Sequence, residues 1–197
     1  MIIYITGASG AGKTTLLKKS PIKGYDMDDI YASNWKKHKT LEPVLKGVKK
    51  DVDALIAKHT NIVFVGLQGK DQLSFTPDVV YILVRKDYEQ FYRDKLVRDL
   101  NLLCENKKDF EQVLAKEPFK DFRNHFWSSS IVNMKPLDEF KEDTNKMTEL
   151  LQKDFPGAPA KTADAILKKL KGMDSGRATR KRNARKPQTR TFKKVRK

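Results

Sequence analysis

Residues Gly7 to Thr15 read GASGAGKTT and follow directly on the apolar run Ile2-Ile3-Tyr4-Ile5. Gly, four residues, then Gly-Lys-Thr at the end of a predicted strand is the phosphate-binding P-loop, or Walker A, pattern. Its chemistry depends on these residue types. Gly7, Gly10 and Gly12 let the backbone turn tightly, so that successive amide N–H groups converge on one phosphate chain. Lys13 extends a mobile charge to the β- and γ-phosphates, and Thr14 offers a hydroxyl to Mg²⁺. The helix that opens here adds the positive end of its dipole. The run Gly7, Ala8, Ser9, Gly10, Ala11, Gly12, Lys13, Thr14 and Thr15 is therefore the candidate site for ATP or another nucleoside triphosphate. The rival reading is a glycine-rich turn with no ligand, and the strand before it and the helix after it argue against that.

Outward from this loop, strands and helices alternate. Lys13 to Ser20 reads as a helix stopped by Pro21. A short strand over Ile22 to Asp26 leads into Asp26-Met27-Asp28-Asp29. Val44, Leu45, Val48, Val52, Leu55 and Ile56 form a helical stripe, whereas NIVFVGL (residues 61–67) and VVYILV (79–84) read as buried strands. Such alternation predicts an α/β fold with a central parallel sheet covered on both faces. Beyond Arg85 a helix is predicted over 87–105, then a short one around Phe110 to Leu114. The aromatics Phe119, Phe122, Phe126 and Trp127 follow, with a final strand over 131–134. Leu137 to Leu151 and Ala163 to Leu170 carry two further helical stripes.

The chain has 197 residues and a formal net charge of +16. Ten of those charges fall in residues 172–197, where eleven Lys or Arg accompany one Asp and apolar residues nearly vanish. A segment of that composition cannot offset its ordering entropy by burial, so a disordered basic tail is expected after a domain spanning 1–171. The tail can neutralise phosphates without reading sequence, which makes nucleic acid or another polyanion a candidate partner. It also resembles nuclear-import signals and the basic tails of virion- or ribosome-associated proteins; the rival reading, which ranks below attraction to a polyanion, is a solubilising tail with no specific partner. Cys104 is the single cysteine, which excludes an intrachain disulfide and suits a reducing compartment, cytoplasmic or nuclear. No run is long enough to span a membrane, and Met1 opening straight into a strand leaves no expected signal peptide.

Motor-type P-loop proteins need a second acidic signature, a strand ending in Asp that serves Mg²⁺ and water. The later strands end in Gly66-Leu67-Gln68-Gly69 and Arg85-Lys86-Asp87 and supply none. The carboxylates stand instead after the short second strand. A parallel sheet gathers its carboxyl ends on one edge, which sets Asp26, Asp28 and Asp29 facing the P-loop. Their rival role is a turn with a helix cap.

In these features the chain resembles the small P-loop kinases, the group of shikimate, gluconate and nucleotide kinases. The matching elements are GASGAGKT at 7–14, Asp26-x-Asp28, the glycines Gly66 and Gly69 after a strand, and an Arg-bearing helical segment after Val84. The resemblance implies a three-layer P-loop NTPase fold with a helical lid insertion over about residues 85–130. It implies an ATP- and Mg²⁺-dependent kinase. In it Asp26 joins Thr14 at the metal, Asp28 holds the acceptor hydroxyl, Gly66 and Gly69 approach the acceptor, and Arg93 or Arg98 clamps the transferring phosphoryl group. Departures are plain: Gly-Leu-Gln-Gly replaces a glycine run, and no arginine signature for shikimate or clamp for a nucleoside monophosphate is present. The acceptor stays open between a small molecule and a nucleotide. A polynucleotide-end kinase held to its substrate by the tail, and a nucleotide-binding structural or regulatory protein without turnover, are the alternatives. His38, His59 and His125 have no metal-ligand spacing.

Overall fold

The computed structural model describes residues 1–105 and 136–184. Five strands, β1 (Ile2–Thr6), β2 (Gly24–Asp26), β3 (Ile62–Val65), β4 (Val79–Leu83) and β5 (Ala160–Lys161), form one sheet in the order β2-β3-β1-β4-β5. Every pairing is parallel. The helices are α1 (Lys13–Lys19), α2 (Met27–Lys37), α3 (Leu41–Lys58), α4 (Tyr88–Glu105), α5 (Leu137–Asp154) and α6 (Ala163–Ala184).

Alternation along the strands divides the core. Ile3 and Ile5 of β1 and Val63 and Val65 of β3 face one side, where they pack with Leu16, Phe91, Phe140, Ile166 and Leu170. Tyr4, Ile62 and Phe64 face the other, against Met27, Ile30, Val44, Val48 and Val52. Successive side chains of a strand point to opposite faces, so an apolar run without alternation is what a doubly covered strand requires. The sheet with helices on both sides is the expected three-layer α/β architecture.

Some details differ from the sequence reading. The second strand is shorter, Gly24–Asp26, and a full helix, α2, starts at once after it. Asp26 caps that helix: its carboxylate accepts the Asp28 backbone N–H at 3.1 Å. β5 has two residues and was not anticipated; it is too short to carry a period. Helix α6 continues through Gly172 to Ala184, and Met173 still packs against the core. Ala, Lys and Arg are strong helix formers, so a helix already anchored by Ile166 and Leu170 propagates readily. The strand expected at 131–134, the helix near Phe110, the aromatics 119–127, His125 and residues 185–197 lie outside the described residues. So do the side chains of Leu96, Leu100, Leu103 and Cys104.

Within α3, Val44, Val48 and Val52 are buried, but Leu45 stays 45% exposed and Leu41 59% exposed. Phe64→Ala should therefore cost about 3–5 kcal/mol, whereas Leu45→Ala should change stability by no more than about 0.5 kcal/mol. Urea unfolding of the two variants measures both; a large loss at Leu45 would place it in the core.

Candidate nucleotide and acceptor site

The P-loop joins β1 to α1. Two of its glycines hold left-handed backbone, Gly10 at φ 83° and Gly12 at φ 98°, a region that side chains with a Cβ rarely enter. Gly7 has another constraint: a Cβ there would lie 2.5 Å from the carbonyl oxygen of Leu83 at the end of β4. The loop thus rests on the neighbouring strand while its amides turn outward around the helix start. Gly12 is the N-cap of α1 and makes no side-chain capping bond, so the α1 N-terminus is left to an anion.

Lys13 folds back over the loop. Its Nζ donates to the carbonyl oxygens of Gly7 at 2.7 Å and Ala8 at 3.1 Å. Burial pushes the ammonium pKa below the usual lysine range; Asp28 and then Asp26 pull it back up, and Arg98 lowers it. Of the two carboxylates, Asp28 has the larger hold on Lys13. The opposing action of Arg98 places its positive charge in the same field.

Thr14 and Asp26 meet directly. The Thr14 hydroxyl donates to Asp26 Oδ2 at 2.9 Å, while Asp26 Oδ1 caps α2. One carboxylate therefore ties two helix starts together. The same pair offers two hard oxygen donors beside a phosphate cradle, which is how Mg²⁺ is commonly held, by one or two protein oxygens plus phosphate and water. No cluster of three or more His, Cys, Asp or Glu that could hold a metal by itself occurs among the described residues. The donor set fits Mg²⁺ delivered with a nucleotide.

Asp28 lies on the first turn of α2 and is exposed. Gln68 Nε2 donates to its Oδ1 at 3.3 Å. Gln68 is itself held by Tyr4, whose hydroxyl donates to the Gln68 carbonyl at 3.0 Å. Burial raises the Tyr4 pKa, foremost among its influences, so this phenol remains a neutral donor. The Gln68 carboxamide lies over Gly66, so a Cβ there would push it aside and away from Asp28.

The expected site residues separate into two groups. P-loop residues Gly7 to Thr15, together with Asp26, Asp28 and Gly66, converge at the carboxyl edge of the sheet. Arg98 joins them, its guanidinium 3.5 Å from where a Gly10 Cβ would stand. Arg93 is exposed, and among the described residues no contact joins it to the loop. Gly69 is not at Asp28; the carboxylate of Asp154 abuts it, 2.6 Å from where its Cβ would stand. Gln68 and Tyr4 were missed by sequence reasoning. Gln68 could have been noticed as the polar residue between the two glycines, whereas Tyr4 is indistinguishable from a core residue of β1. Arg85 pairs with Asp94 at 2.5 Å and lies over the Phe91 ring, tying the first two turns of α4 to the chain just after β4.

A five-stranded parallel sheet of order β2-β3-β1-β4-β5, with the glycine-rich loop after its central strand, is an α/β fold that sets the P-loop sequence at its carboxyl edge. No protein-family model matches the chain, and no curated protein matches it. Among solved structures, it is similar to a shikimate kinase from Acinetobacter baumannii in complex with shikimate. The TM-score is 0.47 at 13% identity, over 89% of this chain and 93% of that one. It is also similar to a shikimate kinase from Aquifex aeolicus, with a TM-score of 0.42 at 16% identity over 91% and 99% of the two chains. The chemistry of the site rests on this chain's own residues. No helix among the described residues is long and apolar enough to cross a membrane.

The double use of Asp26 gives a separable expectation. Asp26→Asn keeps a capping oxygen, so stability should stay within about 0.5 kcal/mol, and Asp26→Ala should lose about 1 kcal/mol. Both should lose most of the Mg²⁺-dependent part of ATP binding. Urea unfolding and ATP titrations with and without Mg²⁺ measure the two effects; an Asn variant that keeps the Mg²⁺ dependence would leave Asp26 with capping alone.

Proposed function

We propose that this protein is an ATP- and Mg²⁺-dependent kinase that transfers the γ-phosphoryl group to a hydroxyl of a small acceptor. The observation that carries the reading is the convergence of Lys13, the Thr14–Asp26 pair and Asp28 on one edge of the sheet. The P-loop amides and Lys13 hold the phosphates. Lys13 exchanges its two carbonyl partners for phosphate oxygens, a substitution favoured by charge. Thr14 and Asp26 would hold Mg²⁺, which would supply charge neutralisation at the phosphates.

Asp28 accepts a hydrogen bond from the acceptor hydroxyl and aims its oxygen at the γ-phosphorus. The new P–O bond forms as the bond from γ-phosphorus to the bridging oxygen breaks. ADP leaves with that electron pair, and the hydroxyl proton passes to Asp28 or water. Little covalent chemistry is asked of the protein, so alignment and charge stabilisation do most of the work. Gln68 and Tyr4 keep the Asp28 carboxylate in place. Arg98 is the lid cation at the γ-phosphoryl group, ahead of Arg93, because its guanidinium already lies over Gly10.

Lys13→Ala should leave thermal unfolding of the free protein nearly unchanged, lose the rise in Tm caused by Mg²⁺ and ATP, and abolish transfer. Arg98→Ala should lower kcat by about 10²-fold, with Arg93→Ala close to wild type. The deciding assay follows ³²P from ATP into nucleosides, monophosphates, sugars, shikimate and 5′-hydroxyl oligonucleotides. Transfer to none of them, or transfer that survives Lys13→Ala, overturns the reading. Transfer to oligonucleotides alone would make the basic C-terminal segment part of substrate binding.

A further inference from the structure

Beyond Asp28 the sheet edge opens into a cavity of about 620 Å³ between α2, α3 and the loop after β3, within the size range of small-molecule sites. We propose that this cavity is the acceptor subsite, and that it takes an uncharged hydroxyl compound with an apolar or aromatic flank, such as a nucleoside, and excludes phosphorylated or carboxylated ones. The assignment rests on the kinase reading and narrows it.

Two residues connect the cavity to the transfer site. Gln68 lines it and donates to Asp28. Tyr31 also lines it and stands one helical turn after Asp28, at the i, i+3 spacing that puts two residues on one helix face. A hydroxyl at Asp28 therefore leaves the remainder of its molecule alongside Tyr31 and Gln68.

The wall is apolar. Leu41, Leu45 and Val48 of α3 line the cavity with Leu73. Leu41 and Leu45 are the large aliphatic side chains that α3 leaves open to solvent. Their exposure interrupts an otherwise buried stripe, and covering them with a ligand flank recovers about 25 cal/mol per Å².

Among the described residues anion-binding groups are scarce: the lining includes no arginine, so these residues offer no guanidinium fork for phosphate or carboxylate. Its lysine, Lys49, is paired with Asp53 at 2.9 Å, and Asp71 adds a carboxylate to the lining. An anion entering here would lose water and meet Asp71 and Asp28 without a dedicated partner among the described residues.

The test uses the full chain with ¹³C-methyl leucine, Mg²⁺ and a non-hydrolysable ATP analogue. It is titrated with three matched pairs: thymidine and its 5′-monophosphate, adenosine and its 5′-monophosphate, and methyl shikimate and shikimate. The uncharged member of at least one pair should shift the Leu41 and Leu45 methyls, with a Kd at least about tenfold below that of its anionic partner. Leu45→Arg, at an exposed position, should narrow or reverse that order. Equal or tighter binding of the anion, or no shift at either leucine with any compound up to its solubility limit, overturns the proposal. Failure of the kinase reading looks different. Shifts at Leu41 and Leu45 with no phosphorylated product from ATP would keep the cavity as a site for uncharged ligands but end the kinase reading, and its role as an acceptor subsite with it. Product formed on an anionic acceptor would keep the kinase and end the assignment.

Discussion

β1 lies between β3 and β4, parallel to both, and the position of each functional group follows from that pairing. Parallel strands put their carboxyl ends on one edge, where the chain must leave in loops. The chain leaves β1 through the P-loop, β2 through Asp26 and β3 through Gly66. Register makes the convergence close. Ile5 pairs with Val65, and Val65 pairs with Asp26, so all three exits stand at the same height. β2 is two strands from β1, roughly 10 Å at the usual spacing. The Thr14–Asp26 hydrogen bond spans the remainder because α1 starts by turning back across the sheet.

Charge then organises the edge. One partly buried ammonium, Lys13, faces two carboxylates, with Arg98 approaching from α4. Alone, a buried lysine is destabilising, and here burial does lower its pKa. The loop carbonyls of Gly7 and Ala8 satisfy its donors without neutralising it. That leaves a cation preorganised for a polyanion, and functional sites commonly store energy in this way. Asp26 avoids a similar cost by capping α2 and binding Thr14, one oxygen to each.

The two faces of the sheet do different jobs. On the face of Ile3 and Ile5, helices α1, α4, α5 and α6 close a continuous core, and Phe91 carries α4 over the P-loop. On the face of Tyr4 and Phe64, α2 and α3 cover the sheet, but the covering stops short at Leu41 and Leu45. The Tyr4 hydroxyl emerges there and holds Gln68 beside Asp28. The same face that supplies core packing at its middle lines, at its edge, the cavity proposed for the acceptor.

The sequence by itself determined the P-loop, the strands at Ile2, Ile62 and Val79, the parallel sheet and the acidic exit of β2. These are local facts: glycine tolerates positive φ, strand runs differ from helical stripes within a few residues, and parallel strands share an edge. Tertiary structure decided the rest. Arg98 and Arg93 look alike in sequence, and only the seating of α4 through Phe91 brings Arg98 to Gly10. Gly66 and Gly69 also look alike, yet one supports Gln68 and the other meets Asp154. Leu45 has the same hydrophobic spacing as Val48 and is exposed because no helix or loop among the described residues packs over it. Gln68 and Tyr4 acquire a role through contacts 64 residues apart. Periodicity reports which face of an element is apolar, but which neighbour reaches that face depends on long-range packing that no short window of sequence contains.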